Sequence, residues 1–284
     1  MLENWIKPQI PEEEELDERL HAARSKLSVL QMQIKEHGLP VLVLFEGWGT
    51  AGKGSVLGKV IKNIDPRFFK VATMDEPTEE ERRKPFLYRY FVKIPANGKL
   101  EFLDSGWMDE VVKDVLHDNI GEKEYKKKIE SVKRFERQLT DNGYLVMKFF
   151  FQISRKEQKK RIEVLKENKD TRWRVSGDED WQNKHYDKCM HVLDRYLNDT
   201  NSPADPWYIV DAKNRKWAEL QVLETLVSGI ETALKNSNLA VPLLQNVFPL
   251  EKIPKLSEIS LDKELSEEEY NKELIHLQSK LSEL

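Results

Sequence analysis

The stretch FEGWGTAGKGS, residues 45–55, places Gly47, Gly52 and Lys53 in the spacing Gly-x-x-x-x-Gly-Lys. This spacing is typical of loops whose backbone N–H groups surround phosphate oxygens at the start of a helix. Two features depart from the usual pattern. Gly54 stands where a serine or threonine normally reaches magnesium, and Ser55 follows one position late. In addition, no acidic residue lies between Gly47 and Lys53.

The flanking residues have the pattern that a phosphate-binding loop requires. The apolar run LPVLVLF before the loop predicts a buried strand, and GSVLGKVIKNI after it predicts a helix. Strands and helices alternate along the rest of the chain, which predicts an α/β fold with a central parallel sheet of about five strands and helices on both faces. The further strands are predicted at residues 68–74, 99–104, 143–151 and 207–212, and the further helices at 13–36, 78–93, 107–117, 123–141 and 213–235.

Lys53 supports a phosphate site more strongly than the glycines do. A glycine-rich turn between a strand and a helix can also bind nothing, and that reading stays open. A lysine at the beginning of a helix opposes the helix dipole, however, and a bound anion explains its presence better.

Composition limits the classes of function. The chain has 284 residues, 34% of them charged, with a net charge of −4, so no overall positive field favours nucleic acid. Cys189 is the only cysteine, which excludes a disulfide framework and a zinc cluster of cysteines. The acidic leader at residues 1–12 has no apolar core, and no run reaches the roughly 20 apolar residues of a membrane span. We therefore expect a cytoplasmic protein whose partners are neither membrane nor nucleic acid.

Several blocks of the chain resemble the polyphosphate kinase 2 family of P-loop kinases. The family's loop reads like E-G-x-D-x-x-G-K-G-G/S, so Gly54 followed by Ser55 is similar to the family pattern, and Trp48 resembles its AMP-phosphorylating branch. The likeness continues through blocks that together cover roughly residues 15–235. These blocks are IDPRFFKV, PTEEE, YRYFVKIPANGKLEFLD, FERQLTDNGYLVMKFFFQISRKEQKKR and TRWRVS followed by PWYIVDA.

The resemblance implies a three-layer P-loop kinase fold and Mg²⁺-dependent phosphoryl transfer between polyphosphate and AMP or ADP. It implies catalytic roles for Lys53, Asp104 and Arg89, with Asp104 holding Mg²⁺. The residues that it assigns to phosphate binding are Gly47, Gly52, Lys53, Gly54, Ser55 and Lys59. Arg172 and Arg174 are assigned to a helical lid at about residues 154–182 that closes over the phosphates. Because charge runs are often solvated helix faces, that reading of the lid segment stays open.

Two departures from the family pattern predict a degraded site. Gly49 replaces the family's loop aspartate, and Ser105 replaces the arginine of a motif that reads like D-R-S-W-Y. Phosphoryl transfer depends on positioning and charge neutralisation, and loss of one preorganised group typically costs about 100- to 1000-fold in rate. Neighbours such as Asp109 or Lys59 offer a way to compensate.

The C-terminal residues repeat the beginning of the chain. SKLSEL at residues 279–284 is similar to SKLSVL at 25–30, and each follows a run of three glutamates at the same offset. The resemblance to tandem polyphosphate:AMP phosphotransferases then implies a kinase domain at residues 13–235. Residues 236–284 are read as a linker and the start of a second-repeat helix, with a second kinase domain downstream or a homo-oligomer as partner.

Three functions therefore remain at this stage. The first is an active polyphosphate-dependent nucleotide phosphotransferase. The second is a non-catalytic structural or polyphosphate-binding half of a tandem enzyme, and the third is an ordinary P-loop nucleotide kinase or NTPase. The basic lid segment and the order of the matching blocks disfavour the third.

Overall fold

A computed structural model describes residues 1–74, 76–236, 258 and 264–282. The chain divides into two units, residues 1–242 and 243–284, which are described separately. Among the described residues, no helix combines the length and the apolar character that crossing a bilayer would require.

The first unit contains a five-stranded sheet in which every pairing is parallel, in the order β2-β3-β1-β4-β5. The strands are β1 (Val41–Gly47), β2 (Phe69–Thr73), β3 (Leu100–Asp104), β4 (Leu145–Gln152) and β5 (Trp207–Asp211). The central strands β1 and β4 are nearly continuous apolar runs because side chains on both of their faces are buried. The predicted α/β fold with about five parallel strands is confirmed.

Helices connect these strands and cover both faces of the sheet. They are α1 (Glu13–Glu36), α2 (Lys53–Ile61), α3 (Glu79–Arg82), α4 (Tyr88–Phe91), α5 (Trp107–Leu116), α6 (Glu122–Asp141), α7 (Arg155–Glu167), α8 (Gly177–Lys184), α9 (Tyr186–Thr200) and α10 (Arg215–Asn236). A short 3₁₀ helix, Arg172–Arg174, lies between α7 and α8. Alternate residues of β1 enter two separate apolar cores, with Val43 in one and Leu44 in the other.

The first and last helices of this unit pack side by side. Leu16, Leu20 and Leu27 form the buried stripe of α1, with helical spacing. Ion pairs follow the same seam: Arg19 donates to Glu224 at 2.8 Å and 2.9 Å. The buried face of α1 is therefore covered by packing against α10.

The single helix predicted at residues 78–93 is wrong. The structure has the two short helices α3 and α4 in this segment, separated by a turn that contains Pro85. Proline has no N–H to donate and disfavours helical geometry in the residue before it, so a helix ends at this point. Thr78 begins α3 with a capping box to Glu81.

In the second unit, the structure describes the helix α11 (Glu267–Ser282). The helix expected from the repeated SKLSEL pattern is therefore present at residues 267–282. The predicted linker falls mostly outside the described residues. The role of α11 as the start of a second domain stays a prediction.

Candidate functional site

The glycine loop lies at the carboxyl edge of the sheet, where the strand order reverses. β1 has β3 on one side and β4 on the other, and the chain crosses from β3 to β4 past β1. Ligands of open parallel sheets bind in the crevice at such a switch point. This topology brings the loop after Gly47, the carboxylate of Asp104 and the beginning of α7 to the same edge.

The loop requires glycine at two positions for backbone reasons. Gly47 has φ 124°, and a Cβ on it would lie 2.5 Å from the carbonyl oxygen of Phe151. Gly52, immediately before α2, has φ 95°. Thr50 also has a positive φ, 59°, and its buried hydroxyl oxygen has no hydrogen-bond partner among the described residues. For a residue with a side chain this conformation costs roughly 1–2 kcal/mol, and such strain often marks functional loops.

Trp48 anchors the loop to the protein interior. Its indole is fully buried and stacks on Tyr186, with ring centroids 4.0 Å apart. The indole Nε1–H donates to Oε1 of Gln152 at 2.7 Å. Trp48 thus joins the loop to β4 and α9.

Lys53 is the first residue of α2, as the loop pattern predicts. Its ammonium group turns back on its own loop and donates to the carbonyl oxygens of Gly47 at 3.2 Å and Trp48 at 3.4 Å. An ammonium group held in this way is positioned at the centre of the loop without a carboxylate partner among the described residues.

Asp104 ends β3 opposite the start of α2. A Cβ at Gly54 would lie 3.2 Å from Oδ2 of Asp104, so the carboxylate occupies the space that a serine or threonine would need. Burial raises the pKa of Asp104, and the nearby Lys53 opposes this shift. The glycine at position 54 therefore allows this close approach of Asp104 to the helix.

Glu46 is a buried carboxyl group at the end of β1 that the sequence did not single out. Its Oε1 accepts a hydrogen bond of 2.7 Å from the N–H of Gly106 and so connects β1 to the turn after β3. Burial raises the pKa of Glu46 to about 8; the nearby Asp109 acts in the same direction, whereas Lys53 opposes it.

The predicted lid segment contacts the loop directly at Gly49. The N–H of Gly49 donates to Oε1 of Gln182 at 2.9 Å, and its carbonyl accepts from Nε2 of Gln158 at 3.3 Å. A Cβ at Gly49 would lie 2.7 Å from Cγ of Glu179. Side chains of α7 and α8 thus fill the space where the family pattern has an aspartate.

Arg161 on α7 holds the other half of the loop. Its guanidinium donates to the carbonyl oxygens of Thr50 at 3.2 Å and Ala51 at 2.8 Å. It also donates to the carbonyl oxygens of Ala212 at 2.7 Å and Lys213 at 2.9 Å, in the connection after β5. The side chain of Arg161 therefore connects the glycine loop to the segment that follows β5.

Arg89 lies in a cleft of about 660 Å³ beside the turn after Asp104. The side chain is buried, with its Nε 4.0 Å from Oε1 of Glu81. Carboxylates outnumber cations in the lining of this cleft by five to three. Its charged residues are Glu76, Arg82, Arg89, Asp109, Glu110, Lys113, Asp114 and Asp178.

Not every predicted site residue joins this group. Lys59 extends towards α10, where its ammonium group lies 3.4 Å from the fully buried carboxylate of Glu219. Arg172 and Arg174 are exposed, and no hydrogen bond or ion pair in the described part of the chain connects them to the loop. Ser55 is exposed on the first turn of α2. Asp109, which was considered as a compensating acid, pairs with Lys113 at 2.9 Å.

Little in the sequence indicated the contacts that Glu46, Gln158, Arg161 and Gln182 make. Arg161 carried a signal, since it stands one helical turn after Glu157 and accordingly pairs with it at 2.8 Å. Glutamines carry no comparable signal, because the partners Gly49 and Gln182 are 133 residues apart.

The acidic side chains at this site are compatible with a Mg²⁺ ion that takes most of its coordinating oxygens from a bound phosphate ligand and from water. Among the described residues, no group of three or more His, Cys, Asp or Glu side chains is arranged to hold a metal ion. Mg²⁺ in phosphoryl-transfer sites commonly takes one or two carboxylates, together with phosphate oxygens and water. Asp104, at the end of β3 beside the start of α2, is the carboxylate that would serve as the protein ligand of such an ion.

Comparisons with known proteins agree on one family. Residues 11–238 match the family model described as Polyphosphate kinase 2 (PPK2). The chain is 30% identical over 275 residues to a polyphosphate:AMP phosphotransferase of Pseudomonas syringae pv. tomato, covering 94% of this chain and 55% of that protein. A polyphosphate:AMP phosphotransferase of Pseudomonas aeruginosa is 29% identical over 269 residues, covering 92% and 53%. The chain therefore spans about half the length of these curated relatives.

Solved structures show the same fold. A crystal structure of polyphosphate kinase 2 from Arthrobacter aurescens TC1 has a TM-score of 0.72 at 21% identity, covering 91% of this chain and 84% of that chain. A structure from Pseudomonas aeruginosa PA01 assigned to polyphosphate kinase 2 has a TM-score of 0.76 at 25% identity, covering 99% and 55%. The predicted three-layer P-loop kinase fold is confirmed, and the chain belongs to the polyphosphate kinase 2 family.

Proposed function

We propose that this chain is the phosphate-binding domain of a polyphosphate:nucleotide phosphotransferase, and that its own site transfers phosphoryl groups to or from AMP or ADP slowly or not at all. The crowded space beside Gly49 is the observation that carries this proposal. Glu179 and Gln182 occupy the position where the family's loop has an aspartate. A carboxylate that is missing and whose place is filled cannot take part in positioning phosphate or metal.

Binding of phosphate is supported by what remains of the loop. Lys53 stands at the start of α2, and the nearest atoms to a Cβ at Gly52 would be those of two arginines, Arg161 and Arg215, at 3.9 Å. The strained Thr50 and its buried hydroxyl oxygen, which has no partner in the described part of the chain, fit a loop shaped for a bound anion. In the proposed complex Lys53 releases its two carbonyl partners and faces a phosphate instead.

The acidic side of the site would then be limited to Asp104. This carboxylate would hold Mg²⁺ together with phosphate oxygens and water, and the ion would neutralise charge on the transferring group. The cleft around Arg89 opens beside Ser105 and has the volume for a nucleotide, with Arg82, Arg89 and Lys113 as cations for its phosphate. The two arginines among these come from α3 and α4, and the lid segment contributes Asp178 to the lining of the same cleft.

We also propose that the chain forms one half of a tandem protein. In α11, apolar residues stand 254 positions after the buried stripe of α1: Tyr270, Leu274, Leu277 and Leu281 correspond to Leu16, Leu20, Ala23 and Leu27. Tyr270, Leu277 and Leu281 are more than half exposed within the second unit. A stripe that is buried in α1 and repeated in α11 fits a helix whose own α10-like partner belongs to a second kinase domain.

The test measures binding and turnover separately. We expect titration calorimetry to detect polyphosphate binding to the wild type and a loss of about 10- to 100-fold in Lys53→Met, as expected for a charged hydrogen bond. The same proteins, mixed with polyphosphate and AMP or ADP, should convert nucleotide at or near background. Equal affinity of wild type and Lys53→Met would exclude the loop as the phosphate site. Rapid conversion by the wild type would show that the site is not degraded.

A further inference from the structure

A groove on the outer side of α7 gathers several of the cations in and beside the lid segment. It lies between α7 and α8, has a volume of about 810 Å³ and is lined by five cations and two carboxylates in a chain whose net charge is −4. The cations are Arg155, Lys156, Lys159, Lys166 and Lys184. A local excess of positive charge in a concave surface attracts polyanions even when the whole protein is acidic.

Two faces of α7 make different contacts. Gln158 and Arg161 face the glycine loop and bond its carbonyl oxygens. Arg155, Lys159 and Lys166 follow one another at helical spacing and line the outer groove instead. The groove therefore begins within one turn of the residues that contact the loop and runs away from it along the helix.

Part of the charge in the groove is uncompensated. Lys166 pairs with Asp180, and Lys159 has a distant partner in Glu163 at 3.9 Å. For Lys156 and Lys184, no ion pair is present in the part of the chain that the structure describes. Arg155 has a distant partner in Asp187 at 3.9 Å, so Lys156 and Lys184 carry the uncompensated charge of the groove.

The shape of the floor is fixed by a short hydrogen-bond network. Asn183 donates from Nδ2 to the carbonyl oxygen of Arg155 at 2.9 Å and to Oε1 of Gln158 at 3.0 Å. Arg155 in turn donates from Nη2 to the carbonyl oxygen of Lys184 at 3.2 Å. These bonds hold α7 and α8 together, so the spacing of the cations across the groove is set by the fold.

The lining favours a polyanion without bases. Single-stranded nucleic acids are usually bound by cations interleaved with aromatic rings on which bases stack. The nine side chains that line this groove include no aromatic residue. From Arg155 to Lys166 the helix rises about 16 Å, which is long enough for several consecutive phosphate groups.

We propose that this outer groove of α7 and α8 is a second binding surface for inorganic polyphosphate, which holds the part of a long chain that extends beyond the glycine loop. The inference rests on the proposed function, because the loop is taken to bind the same polymer. The groove adds affinity only for chains long enough to reach both sites, through an increased local concentration of the second segment.

The experiment compares a groove variant with a matched control. The groove variant is Lys156→Gln, Lys159→Gln, Lys184→Gln. The control is Lys123→Gln, Lys127→Gln, Lys133→Gln, which removes the same charge from exposed positions of α6. Both are measured beside Lys53→Met by calorimetry at low salt, with tripolyphosphate and with long-chain polyphosphate as the two probes.

We expect the groove variant to bind long-chain polyphosphate about tenfold more weakly than the control variant, with a shallower dependence on salt. Its affinity for tripolyphosphate should stay within about twofold of the control, because the short anion occupies the loop alone. Equal long-chain affinity of the groove and control variants would overturn the inference. A wild type that binds neither probe, or that binds both independently of Lys53, would instead reject the proposed function.

A nucleic-acid arm tests the assignment of the polymer. A single-stranded oligonucleotide of matched charge should bind the wild type much more weakly than long-chain polyphosphate, and the groove substitutions should change its affinity little. If the oligonucleotide binds as tightly and loses affinity in the groove variant to the same extent, the groove is a nucleic-acid surface and the assignment to polyphosphate is wrong.

Discussion

The amide N–H of Gly49 donates a hydrogen bond of 2.9 Å to Oε1 of Gln182, so a side chain of α8 already bonds the backbone of the glycine loop. Gln158 holds both partners, because its Nε2 donates to Oε1 of Gln182 at 2.7 Å and to the carbonyl of Gly49 at 3.3 Å. An anion that uses the N–H of Gly49 must first displace this glutamine.

We therefore predict that Gln182→Met increases the affinity for phosphate. Methionine keeps the length of the side chain but cannot accept the hydrogen bond, and a neutral hydrogen bond contributes about 0.5–1.5 kcal/mol. Tripolyphosphate should bind roughly two- to tenfold more tightly in calorimetry. The control is Gln138→Met on the exposed face of α6, which should leave affinity unchanged. Weaker binding in Gln182→Met would mean that the contact supports the binding loop.

An aspartate placed at position 49 should restore activity only if space is also made for its side chain. Gly49 does not have a positive φ, so its backbone suits aspartate, but the new Cβ would lie 2.7 Å from Cγ of Glu179. We expect Gly49→Asp with Glu179→Ala to raise polyphosphate-dependent nucleotide phosphorylation above either single variant. Adding Ser105→Arg should help less than its charge suggests, because position 105 has φ 69°.

The matched control for that series is Gly49→Asn with Glu179→Ala, which has the same shape without the charge. Thermal melts of each protein separate lost folding from lost chemistry. If the asparagine variant gains as much activity as the aspartate variant, relief of crowding and not a carboxylate is responsible.

Glu46 should make the protein less stable as pH rises. Its pKa is raised from an ordinary value of 4.5 to about 8, so between these values the folded state binds a proton that the unfolded state releases. The contribution of Glu46 to stability is therefore fully present below pH 4.5 and is lost as pH rises to about 8, which amounts to about 2–3 kcal/mol between pH 6 and 9. Urea denaturation across this range should show a flatter profile in Glu46→Gln.

Two controls belong to the pH experiment. Glu136, whose pKa burial also raises to about 8, stays in the variant, so some loss at high pH should persist. The exposed Glu18→Gln should keep the wild-type profile. A Glu46→Gln profile as steep as that of the wild type would show that Glu46 does not hold a proton in the folded protein.

Lys59 should affect stability more than phosphate binding. Its ammonium group and the guanidinium of Arg24 both pair with Glu219, which is fully buried. Oε2 of that carboxylate has no hydrogen-bond partner among the described residues, so Lys59→Met removes the cation that lies 3.4 Å from it, at a cost of about 1–3 kcal/mol. We expect Lys59→Met to lower the melting temperature by roughly 2–4 °C per kcal/mol and to leave the polyphosphate affinity unchanged. The control Lys62→Met should change neither the melting temperature nor the affinity. A loss of affinity without a change in melting would place Lys59 at the phosphate site.

The sheet and the loop were predictable because their signals are local. Uninterrupted apolar runs predict buried strands, and the spacing from Gly47 to Lys53 predicts the start of α2 within a residue. The error at residues 78–93 came from helical spacing on both sides of Pro85, where the missing N–H outweighs the pattern.

The contacts that fill the site were not predictable in the same way. Gln182 approaches Gly49 only because α8 returns over the loop, and no periodicity connects positions so far apart. The direction of Lys59 depends on a buried acid in α10, whose partner is visible only after α2 and α10 are packed together. Residue type indicated a phosphate loop, whereas tertiary packing decides which cations face it.

The pairing of α1 with α10 has a consequence for the order in which the protein forms. The first helix leaves the ribosome about 200 residues before its partner, and contacts that close such long loops form late in folding. Until α10 is complete, the leucine stripe of α1 and one face of the sheet stay open to other chains in the cell. Fragments that stop before residue 215 should therefore aggregate, and chaperones should engage this protein mainly through its N-terminal helix during synthesis.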